Sequence, residues 1–221
     1  MVSIFGPGGG QSWEDQAFPW LRDWSTEATP SGQDPVDFRL RHLANDPRLA
    51  NTVNAVAEHY GWRRQSGPSG SGIGFARGID AGSCVAQIVE VEVIRATGLV
   101  RVKRIVVAHE SGLVINPDGT RNQIEGAVTM GLGQALWEAV RYEQGRILTN
   151  SFASYRIPTF RDTPSIEVVL VPNPTHPPQG AGEPSIFPIA AAVANAIFDA
   201  TGKRLRELPM SPDRVLAALK T

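Results

Sequence analysis

The hexapeptide Gln179-Gly180-Ala181-Gly182-Glu183-Pro184 sets one carboxylate among small residues and a proline. The glycines remove side-chain bulk, so the backbone can pass close to a ligand. Pro184 keeps Glu183 out of helical geometry and extends the chain. The Pro-rich run 172–178 precedes this loop, and an alanine-rich apolar segment follows it. The spacing therefore places the carboxylate where a loop enters a buried helix. A carboxylate delivered to a buried place suits a general base; a solvated glutamate on a surface turn is the plain alternative.

A second feature is Asn122-Gln123-Ile124-Glu125-Gly126. It opens a segment from about Arg121 to Arg141 in which Ile124, Val128, Leu132, Ala135, Leu136 and Val140 recur at helical spacing. A helix start offers free N–H groups, and the Gln123 side chain offers donors and acceptors, which suits a polar, partly anionic ligand. Gly126, Gly131 and Gly133 each cost this helix roughly 1 kcal/mol against alanine. Something must approach its surface closely, either a ligand or another helix.

The remaining elements read as supports. Asp34-Pro35 and Asp46-Pro47 each pair an N-cap with proline at the first helical position. They predict a helical hairpin, its second helix ending at Gly61. Val85–Val93 and Val100–Val107 alternate in part around Ala96-Thr97-Gly98 and predict a β-hairpin. Short strands are expected at 146–149 and 165–171, and helices at 188–201 and 212–219. The Gly/Ser-rich run 65–74 lacks the Lys-Ser/Thr of a phosphate loop, so it is either a flexible connection into a strand or a backbone approach to a cofactor edge. Residues 1–33, with Trp13, Phe18, Trp20 and Trp24, show no clean period and are expected to be loosely ordered or to pack on a partner. Helices and antiparallel hairpins mix without βαβ regularity, so the predicted class is α+β.

Composition narrows the function. A net charge of −1 over 221 residues gives no reason to expect nucleic acid as a partner. Cys84 is the only cysteine, which excludes an internal disulfide framework and a cysteine-based cluster. His42, His59, His109 and His176 share no metal spacing, so no residue is read as a metal ligand. Ser69, Ser71 and Ser83 lie in no nucleophile elbow. A base and a polar wall then leave the reactive group to a cofactor. With no cationic segment leading into an apolar core at the N-terminus, the expected compartment is the cytoplasm, or the periplasm if the chain is exported with a partner.

From Asp34 onward the chain resembles the C-terminal part of the molybdopterin-binding large subunit of the xanthine dehydrogenase/aldehyde oxidase family, in its isoquinoline 1-oxidoreductase-like branch. The residues that carry the resemblance run in order. They are Asp34–Arg41, Thr97–Val102, Ile115-Asn116-Pro117, Gln123–Gly126 with Gly131–Leu136, and Asn150-Ser151-Phe152. Tyr155–Pro158, Gly180–Pro184, Ala194–Ile197 and Ala200-Thr201-Gly202 complete the series. The resemblance implies that residues 34–221 form a molybdopterin-binding C-terminal domain behind a poorly matched arm, 1–33. It implies that Glu183 is the base at a molybdenum centre. Gln123, Gly126, Gly180, Ala181 and Gly182 would face the cofactor, and Ser151, Phe152 and Tyr155 would line the substrate channel. The cofactor would be molybdenum-molybdopterin in its cytosine dinucleotide form. The reaction would hydroxylate aldehydes or N-heteroaromatics with oxygen from water, and electrons would leave through iron–sulfur clusters on a small 2Fe–2S subunit. Onward transfer to a flavin or a cytochrome subunit stays open.

Two departures qualify this. Family large subunits are several times longer, so another chain would supply the rest of the pocket. The alternative is a truncated fragment without cofactor or activity of its own; a small-molecule-binding module in the same cleft is a third option. Glu110 also stands where the family often shows an Asp-Cys pair.

Overall fold

The computed structural model describes residues 33–63 and 69–220. The expectation for residues 1–33 therefore falls almost wholly outside the described residues. Two short helices come first, α1 (Pro35–Arg41) and α2 (Pro47–Tyr60). The Asp34 side chain accepts from the Val36 and Asp37 amides, and Asp46 accepts from Leu49. Gly61 ends α2 with φ of 73°, a left-handed conformation that glycine takes without strain. The predicted helical hairpin is therefore present, caps included.

Strands β1 (Ser71–Asp80), β2 (Ser83–Ile94) and β3 (Leu99–Glu110) form an antiparallel meander. Helix α3 (Pro117–Leu136) follows, then a two-residue hairpin of β4 (Tyr142–Glu143) and β5 (Arg146–Ile147). Strand β6 (Ser165–Leu170) joins β3 in parallel and completes the order β1-β2-β3-β6. Helices α4 (Ile189–Thr201) and α5 (Pro212–Lys220) close the chain. The class is α+β, with helices on both faces of one sheet.

One face carries α1 and α2 over Phe75, Ala86, Ile88 and Val106. The other carries α3, α4 and α5 over Val85, Val89, Ile105 and Val107. Covered on both sides, β2 is almost continuously buried. That burial is why Val85–Val93 alternates only weakly in sequence.

The structure differs from the sequence reading in four places. The central helix starts at Pro117, not Arg121, because Asn116 caps it by accepting from the Gly119 amide at 3.0 Å. It stops at Leu136, where the Trp137 and Glu138 amides both turn back to the Gly133 carbonyl. The strand expected over 146–149 is only Arg146–Ile147. The third difference is that β6 pairs in parallel, joined to β3 across the whole of α3. The fourth concerns residues 71–74 of the Gly/Ser-rich run, which are the start of the ten-residue strand β1.

The glycines of β1 answer to a helix. A Cβ on Gly72 would collide with the backbone of Ala196 and Ala200, and one on Gly74 with that of Ala192 and Ala196. Helix α4 lies against the strand with nothing between them but backbone and alanine methyls. Its polar groups also serve the strand: Asp199 accepts from the Ile73 amide at 2.9 Å, and the Asn195 amide donates to the Phe75 carbonyl at 2.9 Å. These two residues are four apart, hence on one helix face, and they satisfy backbone groups at an otherwise open sheet edge. Gly74→Ala should therefore lower stability by about 3 kcal/mol or prevent folding. A denaturant titration checks it; an unchanged midpoint would refute the close seat of α4.

Candidate active site

Helix α4 fixes what precedes it. Ile189 and Ile186 pack over Gly131 of α3, where a Cβ would strike the Ile189 side chain. The loop ahead of them, residues 179–186, is thereby held above the C-terminal end of β3 and the N-terminal half of α3. Gly182 lands beside Gln123: a Cβ at 182 would sit 3.3 Å from Gln123 Oε1. Tertiary structure thus joins the two features that sequence reading singled out separately.

The loop is stitched down from several sides. The Gln179 amide donates to the Ser111 carbonyl at 2.8 Å. Ser83 Oγ donates to the Gly180 carbonyl at 2.7 Å. Gln87 Nε2 donates to the Ser185 carbonyl at 2.7 Å, and His109 Nδ1 lies 3.1 Å from Ser185 Oγ. Within the loop the Ile186 amide donates to the Glu183 carbonyl at 2.8 Å. Below it, Glu110 is buried; it accepts from Arg48 Nε and, at 2.7 Å, from the Gly112 amide. The position that departs from the family pattern is therefore filled by an ion pair that also holds a turn.

Glu183 is exposed, as are Gly180, Gly182, Gln123 and Gly126; Ala181 is half-buried. This corrects the expectation of a buried carboxylate. The loop does enter a buried helix, and Pro184 and Ser185 are buried, but Glu183 projects from the protein. Its side chain has no hydrogen bond or ion pair among the described residues. The three helix glycines also separate. Gly131 and Gly133 are covered from within the chain, the latter by Glu138 and Pro158, whereas a Cβ on Gly126 would meet nothing within 4 Å.

Bare glycine backbone at Gly126, Gly180 and Gly182, an amide side chain at Gln123 and an exposed carboxylate together fit one wall of a large polar group. Tyr155 sits toward the other end of α3, and Ser151 and Phe152 precede it on an exposed stretch. Tyr155 donates to Glu138 at 2.8 Å, and Pro158 seats on Gly133, ten residues and about 15 Å along α3 from Gln123.

Sequence reading passed over Gln87 and Ser185, and weighed Ser83 only as a nucleophile and His109 only as a metal ligand; all four are fully buried supports. A signal was available: Gln87 interrupts Val85-Ala86-Gln87-Ile88-Val89, and His109 ends Val106-Val107-Ala108-His109. A polar residue inside an apolar strand needs a partner, and here the partner is the loop.

Burial pushes His109 down to about 4, with Glu110 and the Gly180 carbonyl opposing it. The unfolded chain therefore binds more protons than the folded one between about pH 6.5 and 4. Stability from the neutral imidazole is full above that window and lost as pH falls through it, by about 3 kcal/mol in all. His109→Gln should flatten this part of the curve of unfolding free energy against pH; parallel curves for the two proteins would contradict the assignment.

Comparison with known proteins identifies the family. Residues 33–164 match the model of the molybdopterin cofactor-binding domain. Over 208 residues the chain is 40% identical to a nicotinate dehydrogenase subunit of Pseudomonas putida, covering 87% of this chain and 17% of that protein. It is 36% identical to the beta subunit of isoquinoline 1-oxidoreductase from Brevundimonas diminuta, covering 85% of this chain and 24% of that one. Quinoline 2-oxidoreductase from Pseudomonas putida 86 superposes with a TM-score of 0.59 at 28% identity, over 62% of this chain and 19% of the other. For the aldehyde oxidoreductase of Desulfovibrio gigas the TM-score is 0.56 at 30% identity, over 63% and 16%. The chain thus spans at most 24% of the length of each of these relatives. The family match over more than half of the chain, and relatives up to 40% identical, place the chain in the molybdopterin cofactor-binding domain family of molybdenum hydroxylase subunits.

Proposed function

We propose that this chain supplies the general base and one wall of the molybdopterin pocket in a molybdenum hydroxylase assembly. The observation that carries the reading is the approach of Gln123 to Gly182, directly beside Glu183. When bound, the molybdenum–pterin group supplies a two-electron oxidation with water as the source of oxygen. The chain's own residues then do three things. Glu183 accepts a proton at its carboxylate as the substrate is hydroxylated. Gln123 orients polar atoms of the cofactor through its amide. Gly126, Gly180 and Gly182 let those atoms reach the backbone, with Ala181 adding only a methyl group between them.

The substrates are aldehydes or N-heteroaromatic rings, the classes named for the relatives. The cofactor takes its cytosine dinucleotide form. A second chain provides the rest of the pocket, and a small 2Fe–2S subunit receives the electrons. Residues 34–221 act as one cofactor-binding domain, in the cytoplasm or, with an exported partner, in the periplasm; among the described residues no helix is long and apolar enough to cross a membrane. Ser151, Phe152 and Tyr155 line the substrate approach. Met130, Phe152 and Phe160 are exposed apolar residues that the rest of the assembly would cover.

The exposure of Glu183 favours a second reading, a fragment that folds without cofactor and turns nothing over. Metal content separates the two: the assembled complex should hold close to one molybdenum per copy of this chain, whereas the fragment holds none. In the assembled complex Glu183→Gln should lower turnover about a hundredfold or more while molybdenum content stays constant. Near-normal turnover in that variant would remove Glu183 from the base role. Gly126→Ala gives a complementary check. It should leave the isolated chain as stable or stabilise it by about 0.5–1 kcal/mol, yet lower the molybdenum content of the complex. Unchanged content would mean that nothing docks against Gly126.

A further inference from the structure

Two polar side chains under the Glu183 loop have no part in the chemistry proposed above. Gln87 on β2 and His109 on β3 share a sheet face. The register pairs Val85 with His109 and Gln87 with Val107, so the two are diagonal neighbours. Both are fully buried, and both converge on Ser185, which is fully buried too. Gln87 holds the Ser185 carbonyl, and His109 holds its hydroxyl.

Packing alone does not account for this pair. Their neighbours Val85, Val89 and Val107 are apolar. Apolar side chains of similar size would fill the same space without leaving Gln87 Oε1, which has no hydrogen-bond partner among the described residues. What the polar pair adds is direction. Two hydrogen bonds from a rigid sheet fix both the backbone and the side chain of one loop residue. Ser83 and Ser111 hold the far end of the loop at Gly180 and Gln179. Only the stretch from Ala181 to Glu183 is left to project.

We propose that His109 and Gln87 are positioning residues: they anchor Ser185 from beneath and thereby fix where the Glu183 carboxylate points. This inference rests on the reading of Glu183 as the base. Amide hydrogen exchange in the full chain tests the anchor without reference to activity. His109→Phe and Gln87→Leu should each accelerate exchange in residues 180–186 about tenfold, with the amides of β2 and β3 unchanged. His109→Asn, which keeps a polar group in the same place, should restore part of the protection. Should either larger change prevent folding, Ser185→Ala removes only the hydroxyl and should loosen the same residues. No acceleration, or equal acceleration across the sheet, would overturn the proposal.

In the assembled complex the same variants should lower kcat about tenfold or more while KM stays within about twofold. A loosened loop with unchanged kcat would overturn the catalytic part of the proposal. Glu183→Gln in the same complex then tells the two failures apart. If that variant is also active, the base reading has failed; if it is inactive, the base stands and its position does not depend on Ser185.

Discussion

The fold rests on the contact between α4 and β1, where a helix meets a strand with no side-chain bulk between them. Gly72 and Gly74 supply the bare strand, and Ala192, Ala196 and Ala200 supply the shallow helix face. At that distance Asn195 and Asp199 reach backbone groups of the strand and close its open edge. Everything that carries chemistry follows from this seat. The loop with Glu183 runs directly into α4, and the first residues of α4 pack on Gly131 and so bring α3 alongside. A larger residue at Gly74 would push the helix off the sheet and move the carboxylate with it.

One residue type does two jobs here, and its surroundings decide which. Gly72, Gly74, Gly131 and Gly133 are filled by other parts of the same chain. Gly126 and Gly180 have room around them, Gly182 abuts only Gln123, and all three are exposed, as is Glu183. The first set makes the scaffold; the second lies on the surface. Glu183 is exposed as well, in a chain that spans at most 24% of the length of these relatives.

Beneath the Glu183 loop lies a buried polar layer that is unusual for a sheet covered on both faces. Gln87 of β2 and His109 and Glu110 of β3 each hold a loop residue, and Glu110 pairs with Arg48 of α2 as well. Polar groups this deep destabilise unless they are paired, so their pairing with Ser185 and Gly112 ties the loops to the sheet. The site is thus held from two directions, by the helix that leaves the loop and by the strands below it.

Much of this architecture was legible in the residues. Asp34-Pro35, Asp46-Pro47 and Gly61 announced the helical hairpin, because caps act within a few residues of chain. Ordered motifs from Asp34 to Gly202 carried the family, and the setting of Glu183 among glycines and a proline singled that loop out. The close approach demanded by the helix glycines was also readable, but what approached was not. Strand β1 stayed hidden because its glycines are suited to a helix that arrives more than 100 residues later. The parallel pairing of β6, the meeting of Gln123 with Gly182, and the anchoring of Ser185 by Gln87 and His109 were decided by tertiary structure alone. Local preference acts over a few residues, whereas these contacts join segments 59 to 98 positions apart.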